Sequence, residues 1–337
     1  MKHLFLIHSH ITYYLAKSVE DSLNLDQNDI VYIFARNYSN VNSGEIKSVP
    51  LGHIPYQQNV HFKNFISFWK HTSAIDKLIN NLVEGENFNA YLPHFSDPIM
   101  QMIGTHSHCV QVNFIEEGTL QYSKKTYLKQ PYKNLNNFIE YNLDRFLTYV
   151  KLFGKGRFFR VNNFYDFTFL NKEIGHFYCL SESCFIPFLK KRVIIPLFKE
   201  EIDIQFQAIN NLMVFEAMIE NDVVNEKNFF DILNTILDSI SSSVLHLKFH
   251  PAQTIESRTL IENLFKKRDI SYLVVPDYVP VEQILASDRK IRVIGFASSI
   301  LLYAKILKHE VISFDQELQA LDSKYQVYRR YNDFDLF

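Results

Sequence analysis

Apolar residues in the first half of the chain occur either in short runs or at helical spacing. Four segments have the length and pattern of strands: His3–Ile7, Ile30–Phe34, Ala90–Leu92 and Val110–Phe114. The segments between them repeat apolar residues every three or four positions, as amphipathic helices do, and the longest runs from Phe65 to Leu82. Asp97-Pro98 predicts a further helix, because aspartate is a favoured N-cap and proline is favoured at the first helical position.

The same alternation of strands and helices resumes after about residue 210. Five strands are predicted there: Leu212–Phe215, Val244–Phe249, Tyr272–Val275, Ile291–Ile294 and Val311–Ile312. Helices are predicted between them, among them Val281–Leu285, which Pro280 begins, and one that starts near Ser298. Residues from about 130 to 188 are less regular. They contain helical spacing around Leu135–Leu152 and a basic aromatic stretch, Lys151–Arg160.

Two blocks of strand–helix alternation predict an α/β protein with two Rossmann-like domains, each built on a parallel sheet. The length of 337 residues agrees with two domains, because single cores stop growing at about 250–300 residues. We place the first domain at residues 1–188 and the second at residues 189–314, and we expect residues 315–337 to pack back on the first. Ligands of such sheets bind at the carboxyl ends of strands, and with two domains we expect a cleft between them.

The charge balance and the apolar pattern exclude several classes of protein. Lys+Arg 35 against Asp+Glu 37 gives a net charge of -2, whereas a general nucleic-acid binder carries a strongly basic face. No apolar run reaches the ~18 residues of a membrane-spanning helix, and the N-terminal run is too short for a signal peptide. We interpret Cys109, Cys179 and Cys184 as reduced thiols of a cytoplasmic protein. Lys151–Arg160 is the candidate for peripheral attachment to a membrane, and a solvated connector explains it equally well.

Glu116-Glu117-Gly118 follows the predicted strand Val110–Phe114. Side chains alternate in direction along an extended chain, so the two carboxylates cannot both turn into the sheet. One of them is free to point into a binding cleft, where partial burial raises the pKa of a carboxylate and suits it to act as a general base. The alternative is a solvated acidic turn.

Two loops of the second half carry groups that suit a phosphate. His250-Pro251 ends the strand Val244–Phe249, and a histidine there can hold a phosphate oxygen or protonate a leaving group. Lys248 adds positive charge, unless its side chain runs along the surface to solvent. Gly295–Ser299 joins a strand to a helix, and its two hydroxyls with the helix amides make an anion site. A structural histidine and an N-cap serine are the alternatives.

The equivalent loops of the first half contain three histidines, His8, His10 and His94. Each is a candidate for contact with an acceptor sugar, with an ordinary polar loop residue as the alternative. No histidines and carboxylates have the spacing of a metal site, and there is no DxD sequence for a nucleotide-bound cation. We therefore predict that the protein uses no metal and no cofactor.

Taken together and in order, these motifs resemble those of bacterial sialyltransferases of the two-domain GT-B type, which include lipooligosaccharide sialyltransferases and capsule polysialyltransferases. The matching residues are Glu116-Glu117-Gly118, His250-Pro251 and Ser298-Ser299. Glu282 lies in Val279–Leu285, which resembles the segment that these enzymes carry before the paired serines. The resemblance is good over about residues 210–312 and depends on the acidic turn in the first domain.

The resemblance implies a role for each matching residue. Glu117 is the general base that takes the proton of the acceptor hydroxyl, and His250 contacts the phosphate of a CMP-linked donor. Ser298 and Ser299 hold the same phosphate, and the anomeric carbon is inverted without a metal ion. The further residues on the donor side are Lys248, Pro251, Glu282 and Gly295. The candidates on the acceptor side are Glu116, His8, His10 and His94, which we choose from their positions after strands and not from the resemblance.

The implied co-substrate is CMP-sialic acid or a related CMP-nonulosonic acid, and the implied acceptor is a bacterial surface glycan. Such acceptors are lipid-linked and lie at the cytoplasmic face of the inner membrane. Two alternatives remain from the residues alone. One is a GT-B transferase or epimerase that uses another nucleotide sugar such as a UDP-sugar, and the other is a non-catalytic module that binds a nucleotide or a glycan.

Overall fold

The computed structural model describes residues 1–35, 38, 47–50, 65–127, 163–167, 170–201, 203–239 and 244–331. The chain forms two compact units. The first comprises Met1–Glu117 and Lys124–Leu197, and the second comprises Gly118–Ser123 and Phe198–Phe337. The boundary thus comes at Leu197 rather than after residue 188. The predicted helix around Leu135–Leu152 and the stretch Lys151–Arg160 lie outside the described residues.

The first unit contains a seven-stranded parallel sheet in the part of the chain that is described. Its strands are β1 (Lys2–Ile7), β2 (Ile30–Phe34), β3 (Lys47–Pro50), β4 (Phe88–Leu92), β5 (Cys109–Ile115), β6 (Glu173–Cys179) and β7 (Arg192–Ile194). Its helices are α1 (His10–Leu23), α2 (Phe65–Leu82) and α3 (Pro98–Gly104). The strand order is β3-β2-β1-β4-β5-β6-β7. Every residue of β2 is buried, as expected where both faces of a parallel sheet are covered.

Local signals determine where the helices of this unit begin. Ser9 is the N-cap of α1 and forms a reciprocal capping box with Thr12. Asp97 is the N-cap of α3, where its side chain accepts from the Ile99 amide and Pro98 takes the first helical position. The prediction from Asp97-Pro98 is therefore confirmed.

Strand β6 lies in the stretch that sequence periodicity left irregular. Its place in the sheet depends on Asn113 of β5, whose Oδ1 accepts from the amide of His176 at 2.9 Å. The pairing of β5 with β6 shifts register between Val112 and Phe114, at this asparagine. A polar side chain that bonds to a distant strand leaves no periodic signal in β6 itself.

The second unit contains a five-stranded parallel sheet. Its strands are β8 (Asn211–Val214), β9 (Leu245–Lys248), β10 (Tyr272–Val274), β11 (Arg292–Gly295) and β12 (Glu310–Ser313). Its helices are α4 (Ile204–Gln207), α5 (Glu226–Ser239), α6 (Ile255–Lys267), α7 (Val281–Leu285), α8 (Ser299–Ile306), α9 (Asp315–Leu321) and α10 (Ser323–Tyr331). The strand order is β10-β9-β8-β11-β12.

The C-terminal helices α9 and α10 pack on the second unit. Leu318 and Tyr325 are fully buried in the same hydrophobic core as Phe229 of α5. A buried ion pair between Asp315 and Arg329, with Nε 2.9 Å from Oδ1, joins the two helices. The expectation that residues 315–337 pack on the first domain is therefore corrected for 315–331, because their apolar side chains complete the core of the second unit.

The strand order reverses once in each sheet, between β1 and β4 in the first unit and between β8 and β11 in the second. In open parallel sheets, ligands bind at the carboxyl ends of the two strands that flank such a reversal. This rule selects the loops that follow these four strands. Among the described residues, no helix has the length and apolar character needed to cross a membrane.

Candidate functional site

Three polar residues meet at the strand reversal of the first unit. His8 follows β1, His94 follows β4, and Glu117 follows the neighbouring strand β5. The Nε2 of His94 lies 3.1 Å from Glu117 Oε2, and the Nε2 of His8 lies 3.7 Å from the same oxygen. The side chains of His8 and His94 are only 1% and 2% exposed, while that of Glu117 is 11% exposed. Of the three side chains, that of Glu117 is the most exposed.

Hydrogen bonds to its other nitrogen orient the ring of His94. The Nδ1 accepts from the backbone amide of Ser96 at 3.1 Å, and the Ser96 hydroxyl lies 3.0 Å away. Because an amide can only donate, Nδ1 carries a lone pair and the ring proton is on Nε2, which faces Glu117. The ring of Phe164 packs against the imidazole edge-on at 5.0 Å. The Nε2 of His94 is therefore held in close polar contact with the Glu117 carboxylate.

Glu116 points in the opposite direction from Glu117, as side-chain alternation requires. It is fully buried, and its Oε2 accepts from the Leu180 amide at 2.9 Å. Gly118 follows with φ of 152°, a backbone conformation that favours glycine. The turn thus directs Glu116 into the core of the first unit and leaves Glu117 partly exposed. The structure does not bring Glu116 to the exposed side of the histidine cluster.

Glu116 lies beside two buried thiols, Cys179 and Cys184, and the ligand atoms of all three are within 4.8 Å of one another. Burial raises the pKa of the Cys184 thiol well above its usual range, and hydrogen bonds with Cys179 and Glu116 act in the same direction. Protonated thiols are poor metal ligands. The arrangement fits a carboxylate that accepts hydrogen bonds from a thiol and an amide inside the core.

His10 is separate from this cluster. It is the first residue of α1, where its ring stacks on Tyr14 and its Nδ1 lies 3.2 Å from the hydroxyl of Tyr38.

At the strand reversal of the second unit, Ser298 is the N-cap of α8. Its hydroxyl oxygen accepts from the Leu301 amide at 3.2 Å, and its proton is donated to the carboxylate of Glu216, which follows β8. Ser299 is the first residue of the helix and is partly exposed. Gly295 ends β11 where a Cβ would lie 2.9 Å from the carbonyl oxygen of Val214, so the close approach of β8 requires glycine.

Glu216 is a residue that the motifs did not identify. Burial raises the pKa of its carboxyl to about 7, although the hydrogen bond from Ser298 lowers it. The one sequence feature that pointed to Glu216 is its position in the loop that follows β8, the central strand of the second unit. The carboxyl therefore titrates near neutral pH beside the helix start that is the candidate phosphate site.

His250 follows β9, and the turn His250-Pro251 is exposed. Its Nδ1 accepts from the Ala252 amide at 3.1 Å, and its backbone carbonyl accepts from Arg258 Nη2 at 3.0 Å. Burial lowers the pKa of the imidazole, Glu220 raises it, and Arg258 lowers it further.

Arg258 holds the loops around His250 and was not identified from the sequence. Its guanidinium binds both carboxylate oxygens of Asp277 at 3.1–3.2 Å and lies 5.5 Å above the centre of the Phe249 ring. This bidentate pair ties the start of α6 to the loop after β10. No motif marks such a residue, because its partners are distant in sequence.

Lys248 does not extend to solvent. It is buried, and its ammonium donates to the carbonyls of Pro276 at 2.7 Å, Val279 at 2.8 Å and Asp277 at 3.3 Å. These three bonds use all of its donors, so Lys248 holds the loop before α7. Glu282 lies in the first turn of α7, and burial raises the pKa of its carboxyl.

The comparisons with known proteins agree with this geometry. The profile of the family described as alpha-2,8-polysialyltransferase (POLYST) matches residues 4–313. Among solved structures, a sialyltransferase from Photobacterium damsela aligns over 99% of this chain and 80% of its own, with 13% identity and a TM-score of 0.51. MurG from Acinetobacter baumannii aligns over 100% of this chain and 91% of its own, with 9% identity and a TM-score of 0.43. No curated protein sequence matches significantly.

The likeness to the Photobacterium enzyme, together with the two parallel sheets, shows the GT-B fold that the motifs led us to expect. The profile match extends over nearly all of both units, so it includes the acidic turn as well as the His-Pro and paired-serine motifs. The chain therefore belongs to the alpha-2,8-polysialyltransferase family of glycosyltransferases.

Proposed function

We propose that this protein moves a sialic acid, or a related nonulosonic acid, from a CMP-linked donor to a hydroxyl of a glycan, with inversion and without a metal ion. The observation that carries this proposal is the partly exposed side chain of Glu117, whose Oε2 lies 3.1 Å from His94 Nε2 and 3.7 Å from His8 Nε2. Family membership supports the class of reaction. The polar groups of the first unit support the role of general base, and those of the second unit support binding of the donor phosphate.

Glu117 is the proposed general base. As the acceptor oxygen forms its bond to the anomeric carbon, its proton passes to the Glu117 carboxylate. The bond between the anomeric carbon and the phosphate oxygen breaks, and CMP leaves with the bonding electrons. A positioned base contributes about 10²–10⁴-fold to the rate of such a step. The side chain of His94 lies against this carboxylate, with its Nε2 3.1 Å from Oε2.

The second unit is the proposed site of the donor phosphate. Ser298, Ser299 and the amides at the start of α8 supply hydrogen-bond donors and the positive end of a helix dipole. His250 adds an imidazole from the exposed turn after β9. A nucleotide monophosphate carries less charge than a diphosphate, so these groups suffice to stabilise it as it leaves, and no cation is needed.

The acceptor we propose is a sialic acid at the end of a surface glycan, because the family description specifies α-2,8 linkage between sialic acids. Its reacting group is then the hydroxyl at carbon 8. A lipid-linked acceptor at the cytoplasmic face of the inner membrane is part of the same proposal. An acceptor panel of α-2,8-linked oligosialic acids and lactose tests it, and transfer to lactose alone would contradict it.

The decisive experiment measures transfer from CMP-sialic acid by the wild type and by Glu117→Gln. We expect the variant to keep its fold and lose about 10²–10⁴-fold in kcat. Glu256→Gln, an exposed carboxylate in the first turn of α6, is the matched control and should transfer normally. Equal rates in the wild type and Glu117→Gln would remove Glu117 from the mechanism.

A nucleotide panel separates the proposal from the two alternatives. CMP at about 100 times its dissociation constant adds about 2.7 kcal/mol to stability, which raises the melting temperature by several degrees. UDP should not do so. Selective stabilisation by UDP would favour another nucleotide sugar, and binding of CMP with no transfer to any acceptor would favour a non-catalytic module.

A further inference from the structure

A short segment at one end of the first sheet exposes apolar and basic side chains together. Residues 186–194 form two helical turns, with a kink at Phe188, and then β7, which ends the strand order of the described sheet. The three exposed aliphatic side chains are Ile186, Leu189 and Ile194, which are 41%, 58% and 48% exposed. Lys190 and Lys191 are exposed between them. We call these five residues the edge patch.

Aromatic packing beneath the segment determines which side chains face outward. Phe185 is fully buried, and the ring of Phe188 stacks on that of Phe177 in β6 at a centroid distance of 4.2 Å. Turns that bury Phe185 and Phe188 leave the residue after each of them, Ile186 and Leu189, on the surface. The exposure of these two side chains therefore follows from packing of the aromatic side chains that precede them.

The segment is also basic, in a chain whose charges nearly balance. Residues 183–197 contain three cations, Lys190, Lys191 and Arg192, and no aspartate or glutamate. Lys191 and Arg192 donate to backbone carbonyls, those of Ile174 and Cys184. Within the described part of the chain none of the three cations forms an ion pair, whereas exposed lysines elsewhere pair with carboxylates. Their positive charge is therefore not neutralised by a neighbouring carboxylate there.

This combination fits an anionic membrane surface better than two other occupants. Lysines bind anionic headgroups, while aliphatic side chains gain free energy by insertion at headgroup level. A soluble polyanion engages the lysines but buries none of the aliphatic side chains. A second copy of the chain would have to pair with a three-residue edge strand that carries Arg192 and is followed by Pro196, and such features oppose strand pairing.

We propose that the edge patch docks the first unit on a membrane that contains anionic lipid. The aliphatic side chains insert among the headgroups, and Lys190 and Lys191 bind lipid phosphates. The inference deepens the proposed function and rests on it for the lipid-linked acceptor that such docking brings near the protein. The edge patch is distinct from Lys151–Arg160, the stretch that the sequence suggested for attachment, which lies outside the described residues.

Co-sedimentation of the full chain with vesicles tests the docking. We expect binding to phosphatidylcholine vesicles that contain about 30% phosphatidylglycerol, little binding to pure phosphatidylcholine, and weaker binding at high salt. Lys190→Gln/Lys191→Gln should weaken binding about 25-fold, because each lysine near an anionic surface contributes about fivefold. Ile186→Ser/Leu189→Ser should weaken it by about tenfold or more, because two aliphatic side chains no longer insert.

The second unit offers matched controls. Lys266→Gln/Lys267→Gln removes the same charge from two consecutive exposed lysines at the end of α6. Leu273→Ser removes a side chain that is 58% exposed, as Leu189 is. Both variants should bind vesicles like the wild type. Equal weakening by the two lysine pairs, or unchanged binding in both edge-patch variants, would overturn the inference.

Two other occupants give different results, and either would overturn the membrane assignment. A dimer in analytical ultracentrifugation that Ile186→Ser/Leu189→Ser abolishes, without vesicle binding, would identify an interface between copies of the chain. Binding of soluble α-2,8-linked oligosialic acid that requires the lysines but not the aliphatic side chains, again without vesicle binding, would identify a polyanion site.

The vesicle assay separates this inference from the proposed function, because it needs no transfer. If the edge-patch variants lose vesicle binding while no CMP-linked donor supports transfer by the wild type, the proposed function fails and the docking holds. If the wild type transfers to a soluble oligosialic acid but binds no vesicles, the proposed transfer holds and the docking fails. Both edge-patch variants should transfer to that soluble acceptor at the wild-type rate, which shows that they are folded.

Discussion

Glu216→Gln tests whether a buried carboxyl at the strand reversal of the second unit titrates near neutral pH. Burial raises the pKa of Glu216 to about 7, against 4.5 for an unperturbed glutamate. The difference between these two values corresponds to about 3.4 kcal/mol at ~1.36 kcal/mol per pH unit. Between pH 4.5 and 7 the native protein holds a proton that the unfolded chain has released.

The sign of the effect follows from that difference in bound protons. Stability falls with rising pH wherever the native state binds more protons than the unfolded state. The contribution of Glu216 is complete below pH 4.5 and is lost above pH 7. About 2.5 kcal/mol of it disappears between pH 5 and pH 8. Glutamine does not titrate, so the stability of Glu216→Gln relative to the wild type should rise by that amount over the same interval.

Urea unfolding followed by circular dichroism at pH 5 and pH 8 measures this difference, with hydrogen exchange of the β8 and β11 amides to assign the transition of the second unit. Glu256→Gln, which replaces an exposed carboxylate, is the control and should show no such trend. A relative stability of Glu216→Gln that is the same at both pH values would refute the reasoning.

The same substitution bears on the proposed donor site. The Ser298 hydroxyl donates to the ionised carboxylate of Glu216 and is then not available to a phosphate. Neutralising the carboxyl releases that proton and removes a negative charge. We therefore expect Glu216→Gln to bind CMP more tightly than the wild type at pH 8, and the advantage to shrink at pH 6. Calorimetric titration at the two pH values measures it.

Three further predictions concern the supporting structure. Gly295→Ala should lower stability by about 1–3 kcal/mol in thermal unfolding, because its Cβ would meet the Val214 carbonyl oxygen at 2.9 Å. An unchanged melting temperature would show that β11 can shift away from Val214 at no cost. Asp315→Ala should cost about 3–5 kcal/mol in urea unfolding, because it leaves Arg329 buried without its ion pair, and Asp315→Ala as stable as the wild type would contradict that role. Glu116→Ala should cost about 1–3 kcal/mol, since a buried amide loses its acceptor, and a neutral result in the same assay would count against it.

Much of the fold was predictable because its signals are local. The apolar run Ile30–Phe34 coincides with β2, and Pro280 is the N-cap of α7 as expected. The paired serines also begin α8 as predicted. Each of these features depends on residues that are neighbours in sequence, so the pattern along the chain predicts it. Strands β3, β6 and β7 were not predicted, because they depend instead on pairing with other strands of the sheet.

The candidate site was predictable only in part, for the same reason. The rule about strand ends selected the loops that contain His94 and Glu117, but the 3.1 Å contact between them requires β4 and β5 to be neighbours. Lys248 was a candidate for the phosphate, and the loop that binds its ammonium lies 28–31 residues further along the chain. The elevated pKa of Glu216 arises from burial, which no local pattern encodes.

The two sheets share the same reversal of strand order, and we propose a different chemical role for the polar residues at each reversal. Each places polar groups after the two strands that flank the reversal and after one further neighbour, which is β5 in the first unit and β9 in the second. The first set is His8, His94 and Glu117, and the second is Glu216, Ser298 and His250. In the first, two imidazoles lie beside a partly exposed carboxylate. In the second, hydroxyl, imidazole and helix amides present donors, and the one carboxyl among these three residues has a pKa near neutrality. The side chains of the proposed base and of the proposed anion site belong to separate strand ends in separately packed units, so we expect a substitution in one set to leave the other set in place.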